Sequence, residues 1–176
     1  LYASRRPQAW GRRGAGVGPE RRAAAATHPG YSPPMVLPLC ADDAADRTLI
    51  AAVRGALIAA ADADHAAPMR AYMKSAMPFY GVPKPARVAA LSPLYAAWAP
   101  AEEAVWRSTV LAMFRGAQAR EEWYAALELL GHRRFQRWLD PICLELCETL
   151  IVEGAWWDIV DEIASHRVGH LLATWP

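Results

Sequence analysis

Asp140-Pro141-Ile142-Cys143-Leu144-Glu145-Leu146-Cys147-Glu148-Thr149-Leu150-Ile151 carries the fullest helical pattern in the chain. Asp140 is a favourable N-cap, and Pro141 suits the first helical position, where a missing N–H costs nothing. Cys143, Leu146, Cys147, Leu150 and Ile151 then recur at i, i+3, i+4, i+7 and i+8, with Ile142 beside them. That is the apolar stripe of a buried amphipathic helix. Glu153-Gly154 breaks the pattern, and a second helical stretch follows at once: Gly154-Ala155-Trp156-Trp157-Asp158-Ile159-Val160-Asp161-Glu162. At about 100° per residue, Trp156, Ile159, Val160, Ile163 and Ala164 form its core stripe. Trp157 and Asp161, four apart, are neighbours at the edge of that stripe, while Asp158 and Glu162 point further round, towards water. An indole beside a carboxylate on a rigid helix is a place to hold a cation.

The same reading extends in both directions. Asp42 or Asp43 caps a helix reaching about Ala61, with Leu49, Ile50, Val53, Leu57 and Ile58 as its stripe. A shorter helix runs from about Ala66 to Ser75. Three prolines and a glycine make residues 77–85 a rigid loop. Pro85 starts a helix to about Trp98, irregular at Ser92-Pro93. Pro100 opens another, carrying Val105, Trp106, Val110, Met113 and Phe114 and closing near Gly116. A further helix spans about Ala119 to Leu130 and stops at Gly131. After the Trp-Trp-Asp helix a last one spans about Arg167 to Ala173. No strand pattern occurs. Successive helices of about three turns, joined by short Pro/Gly links, predict an all-α fold: a HEAT-like α-solenoid of antiparallel helix pairs, without a strict sequence period. A solenoid ending at Pro176 leaves an apolar stacking face, so C-terminal repeats are expected to be missing.

Composition sets limits. The 176 residues are 54% hydrophobic, ample for one sizeable core. No run approaches the ~18 apolar residues of a membrane span. The net charge of +1 hides an asymmetry: residues 1–34 hold six Arg and one Glu, whereas residues 35–176 hold 13 basic and 17 acidic side chains, a net −4. A mildly acidic body counts against nucleic-acid binding. Residues 1–34 are rich in Arg, Pro, Gly and Ala and cannot bury a core, so they are expected to be a disordered extension. An RNA-binding arm or a transit-type peptide would look similar. The first residue is Leu and the first Met is Met35, which favours translated upstream sequence that is not native protein. The domain expected to fold is therefore residues 35–176.

Cys40, Cys143 and Cys147 are an odd, sparse set without a secretory signal, as in a reducing, cytoplasmic protein. Cys143/Cys147 and His166/His170 each sit four apart, and such side chains can bind zinc. Two core thiols and two partly exposed histidines explain the same spacing without a metal.

Several motifs, in order, resemble one family. Tyr72-Met73-Lys74, then Pro78-Phe79-Tyr80-Gly81-Val82, then Pro85 and Arg87, resemble the opening of DNA alkylation repair proteins of the AlkD type. Arg120-Glu121 with Tyr124-Ala125 is similar to that family's "RE…Y.A" helix. Leu150-Ile151 followed by Trp156-Trp157-Asp158-Ile159-Val160-Asp161 resembles its "LI…SWWD.VD" motif, the most specific of the three. The resemblance covers about residues 45–173. It implies a HEAT-like solenoid with a concave, DNA-cradling surface. It also implies a DNA glycosylase that releases N3- and N7-alkylated purines; a monomer acting on double-stranded DNA without a cofactor is expected. On matching positions Asp161 and Trp157 are its active-site residues, and Tyr72 lines the same cleft. Here the sequence departs from the family in two ways. The family draws an Arg and a further Trp from later repeats, beyond Pro176, and the acidic body lacks the Lys/Arg surplus of a phosphate-binding groove.

The remaining polar and aromatic residues read as structural. Trp98, Trp106, Trp123 and Trp138 fit core or inter-helix packing, and Arg120 and Glu121 fit a structural salt bridge or cap. A non-catalytic HEAT-like scaffold, binding protein or DNA and using Trp157 as an anchor, is the competing reading.

Overall fold

The computed structural model describes residues 42–175, so the expectations for residues 1–34 and for Cys40 lie outside the described residues. A 3₁₀ turn, Asp42–Ala44, leads into eight α-helices. They are α1 (Arg47–Ala59), α2 (Ala63–Met73), α3 (Lys84–Ala97), α4 (Glu103–Arg115), α5 (Arg120–Leu130), α6 (Cys143–Gly154), α7 (Trp157–Ile163) and α8 (Gly169–Thr174). A 3₁₀ segment, Arg133–Trp138, joins α5 to α6, and a π-helical turn, Ala164–Val168, joins α7 to α8. The fold is all-helical, with no strand among the described residues.

Local chemistry explains most of the boundaries. Asp46, rather than Asp42 or Asp43, caps α1: its Oδ1 accepts Thr48 N at 2.9 Å and Leu49 N at 3.0 Å. The two earlier aspartates lie in the preceding 3₁₀ turn. Asp46 is the better cap because it is also held from the core, its Oδ2 accepting Trp98 Nε1 at 2.8 Å. Asp62 caps α2 from outside its first turn, so that helix starts three residues earlier than expected despite Pro68 within it. Pro93 is carried inside α3. Asp140 accepts Ile142 N at 2.9 Å, and α6 begins at Cys143, two residues later than the Asp-Pro pair suggests. Glu153-Gly154 does not end α6. The break comes at Ala155, whose φ of 43° is left-handed.

Within this frame, α1, α3, α5 and α7 neighbour one another in succession, while α4 packs on α5 and on α6. The core runs between these sets. Trp106 is fully buried at its centre, with Phe114, Tyr95, Leu57, Leu91, Leu129, Leu146 and Leu150 around it. The predicted stripes hold at Leu49, Ile50, Val53 and Leu57, but Ile58 is exposed. They hold also at Cys143, Leu146, Cys147 and Leu150, but Ile142 is exposed because it lies in the turn before α6. Burial pushes the Cys143 thiol up to about 11 and the Cys147 thiol up to about 12, so both sit in the core as protonated groups. The aromatic segment Arg133–Trp138 had no counterpart in the periodicity. Phe135 anchors it, buried against Trp98 and stacked on Trp138. Trp98 and Trp138 are half-buried packing residues, and so is Trp123, stacked on Phe114 at 4.9 Å.

Candidate active site on helix α7

Helix α7 is short, at seven residues, and its ends are unusual. The left-handed Ala155 turns the chain out of α6, and Trp156 enters α7 in extended conformation as the N-cap. Its carbonyl accepts Ile159 N at 3.1 Å and Val160 N at 3.0 Å. A π-helical turn follows directly. A helix this short has little stability of its own, so tertiary contacts must fix its direction. Ile159 and Ile163 supply the apolar ones, both fully buried. Val160 and Trp156 are half-buried and Ala164 is exposed, so the core stripe is narrower than the spacing suggested.

The polar contacts overturn one expectation. Asp158 does not point to water. Its Oδ1 accepts Arg120 Nη2 at 2.5 Å and its Oδ2 accepts the Tyr124 hydroxyl at 2.6 Å. Both donors lie on α5, four residues apart and therefore on one face. Arg120 is itself enclosed, its guanidinium 5.0 Å from the Trp123 ring and 5.6 Å from the Trp156 ring. Burial and the Asp158 carboxylate together push the Tyr124 hydroxyl well above its ordinary range, so it stays a donor. Glu162 is also engaged, accepting Arg167 Nη2 at 2.8 Å. Of the three acidic groups on α7 after Trp157, only Asp161 has no hydrogen bond or ion pair among the described residues.

Trp157 and Asp161 share the open side of this helix. Trp157 is 56% exposed, and Asp161 is exposed as well. A carboxylate and an indole left free, beside neighbours that are paired, can meet a cationic ligand from solvent. Tyr72, on α2, is 78% exposed, and α2 buries only Met73. Among the described residues the Tyr72 side chain makes no hydrogen bond, ion pair or ring contact.

Next to Asp158 a cleft of about 180 Å³ opens between α3, α5 and α7. Lys84, Arg87, Tyr124, Glu128 and Glu162 contribute its polar lining. Arg87 reaches Glu128 at 2.9 Å and lies 4.8 Å from the Tyr124 ring centre. Burial raises the Glu128 carboxyl above its usual value, against the pull of Arg87. Spacing alone did not single out Lys84, Glu128 or Asp158. Arg87, Arg120 and Tyr124 were visible only as parts of motifs.

Arg120 and Glu121 do not pair with each other. Glu121 is fully buried and accepts three backbone N–H groups: Tyr80 at 3.0 Å, Gly81 at 2.8 Å and Val82 at 3.0 Å. Glu122 binds Arg54 at 2.7 Å and the Tyr80 hydroxyl at 2.7 Å. The Arg120-Glu121-Glu122 run thus ties the residue 80–82 loop, α1 and α7 to a single helix end.

The sequence from residue 53 to residue 175 matches the family model of DNA alkylation repair enzymes. The chain belongs to the DNA alkylation repair enzyme family. A search of curated proteins found no match to this chain. Membership supports a DNA repair enzyme with DNA as its substrate. Among the described residues of this family member, no helix is long and apolar enough to cross a membrane.

The possible zinc ligands are separated by the fold. Cys143 and Cys147 are in the core, whereas His166 and His170 lie on the π-helical turn and α8. The metal-capable cluster among the described residues is Glu103, Asp140 and Cys143. There Arg107 already supplies a cation, pairing with both Glu103 and Asp140.

Proposed function

We propose that this chain is a DNA glycosylase that releases N3- and N7-alkylated purines from double-stranded DNA. Asp161 and Trp157 are its active-site residues, and Tyr72 lines the DNA-binding cleft that they face. The single observation that carries the reading is the contrast on α7: Asp158 and Glu162 are engaged, while Asp161 and the adjacent Trp157 are open. The order in which α1, α3, α5 and α7 neighbour one another, with α4 and α6 behind, supports a HEAT-like solenoid of antiparallel pairs.

The chemistry follows from the charge of the lesion. An N3- or N7-alkylated purine is already cationic, so its departure needs no protonation. As the C1′–N bond breaks, its electron pair neutralises the purine and positive charge develops on the sugar. The Asp161 carboxylate stabilises that charge electrostatically, as carboxylates do in other glycosyl cleavages. Water then bonds to C1′ and gives up a proton, which Asp161 is placed to accept. The Trp157 ring holds the cationic nucleotide by stacking and cation–π attraction, worth ~0.5–2 kcal/mol. Selectivity arises from lesion charge rather than from reading a base edge, and no metal or cofactor enters the scheme.

The test is chromatography of bases freed from methylated duplex DNA incubated with the chain. Methylated purines above the spontaneous background support the reading, and background release alone rejects it. A scaffold without activity is the second reading, favoured by the net −4 of residues 35–176.

A further inference from the structure

A phosphate-binding protein with an acidic body must concentrate its cations somewhere. Among the described residues, most arginines are already engaged. Arg54, Arg87, Arg107, Arg115, Arg120 and Arg167 each pair with a carboxylate. By contrast, Arg133, Arg134 and Arg137 are all exposed, and none has a carboxylate partner among the described residues. They come from one 3₁₀ segment, Arg133–Trp138, that contains no acid.

This segment is rigidly based. Phe135 is buried, stacked on Trp138 at 5.5 Å and 9° and set edge-on to Trp98 at 5.4 Å. The Arg137 guanidinium lies 4.8 Å from the Trp138 ring centre, and Arg134 donates to the carbonyl of Ala96 at the end of α3. Both side chains are held near one geometry, which lowers the entropy lost when they bind a ligand. The local field is also positive enough that Arg133 and Arg134 add to burial in holding His132 below its ordinary value.

The segment is also linked to α7 through one side chain. It follows Gly131, against which the Arg167 guanidinium lies, and Arg167 is the partner of Glu162 on α7. From Tyr124, which grips Asp158, to Leu130 helix α5 rises about 9 Å. That is about three nucleotide steps at ~3.4 Å along one strand.

We propose that Arg133, Arg134 and Arg137 form a phosphate-contact strip for the sugar–phosphate backbone of duplex DNA flanking the lesion. This rests on the DNA-repair reading and accounts for how a body of net −4 engages a polyanion. Guanidinium groups without a carboxylate partner suit phosphate oxygens, and such contacts position the duplex without reading sequence.

The test is the salt dependence of binding to undamaged duplex by the parent chain and by Arg133→Ala/Arg137→Ala. Arg134 is left in place because it bonds the backbone of α3. Each lost phosphate contact flattens the plot of log affinity against log salt by about 0.9. The double variant should therefore lose about tenfold less affinity than the parent between ~50 and ~200 mM salt. Its thermal midpoint should fall by no more than a few degrees, from loss of the Arg137–Trp138 contact. Arg115→Ala, which alters charge at a residue paired with Glu153, should keep the parental slope. A parental slope in the double variant overturns the strip alone. A parent that fails to bind duplex overturns both the strip and the DNA reading. If that parent instead binds a polyglutamate peptide and the double variant does not, the strip is a protein-docking surface.

Discussion

Arg120 and Asp158, 38 residues apart in sequence, meet at 2.5 Å and join the first turn of α7 to the first turn of α5. Arg120 is almost wholly buried, with 4% of its side chain exposed, and Asp158 keeps 13%. A short helix between a left-handed residue and a π-helical turn takes its direction from this tether and from the two buried isoleucines. Trp157 and Asp161 are displayed as a result of it.

Asp158→Ala should therefore destabilise the protein by about 3–5 kcal/mol, because a buried guanidinium loses its carboxylate. Tyr124→Phe removes two hydrogen bonds to charged groups, one donated to Asp158 at 2.6 Å and one accepted from Arg120 Nε at 3.3 Å, and should cost about 1.5–3 kcal/mol or more. Urea unfolding measures both. Where Tyr124→Phe is folded, base release should slow while affinity for duplex DNA holds, since α7 loses part of its aim. Equal stability of parent and Asp158→Ala would contradict the tether.

Glu121 should be as sensitive to change as any apolar core residue. Glu121→Ala leaves the N–H groups of Tyr80, Gly81 and Val82 without their acceptor, two of these bonds being fully buried. A cost of about 3 kcal/mol or more is expected. Hydrogen exchange at these three amides should rise selectively. Unaltered protection there would show that the loop is held by other contacts.

Gly81 has φ of +84°, and a Cβ there would overlap the carbonyl of Asp62, the N-cap of α2. Gly81→Ala combines backbone strain with this clash, and about 3 kcal/mol of destabilisation is expected. The local readout is loss of the Asp62 N–Tyr80 O bond, 2.9 Å in the parent, by which α2 is attached. A fully stable Gly81→Ala protein would refute this account of the α2 attachment.

Asp46 gives a pH-dependent prediction. Its hydrogen bonds to Leu49 N, Trp98 Nε1 and Thr48 N hold its carboxyl below the ordinary 3.8. A depressed carboxyl stabilises the fold fully above the unfolded value, and this is lost as pH falls through the folded one. Asp46→Ala should cost about 1 kcal/mol at neutral pH. The gap between variant and parent should close below pH ~3.8, as the parental cap is protonated. A gap that persists in acid would show that Asp46 acts through shape alone.

Much of the fold was legible because apolar residues repeat at helical spacing. Val53 and Leu57 on α1 and Leu146 and Leu150 on α6 lie where that spacing puts them. Periodicity says nothing about partners. It sent Asp158 to solvent because the helical wheel of α7 shows only the side away from Ile159, and not that α5 comes up against it with Arg120 and Tyr124. It also missed residues 133–138, where an aromatic anchor packs a 3₁₀ segment with no 3.6-residue repeat to detect. The Trp157/Asp161 pair was legible as an exposed i, i+4 edge. That Asp161 is the one acidic group there without a partner became visible only in three dimensions.

The most direct test of the central claim is the single-turnover rate of methylated-purine release from saturating alkylated duplex, for the parent and for Asp161→Asn. The variant is nearly isosteric and removes only the charge of a side chain that bonds no other group among the described residues. Release by the parent is expected, with a rate lower by orders of magnitude in Asp161→Asn and an unchanged unfolding midpoint. Equal rates in the two proteins would contradict the claim.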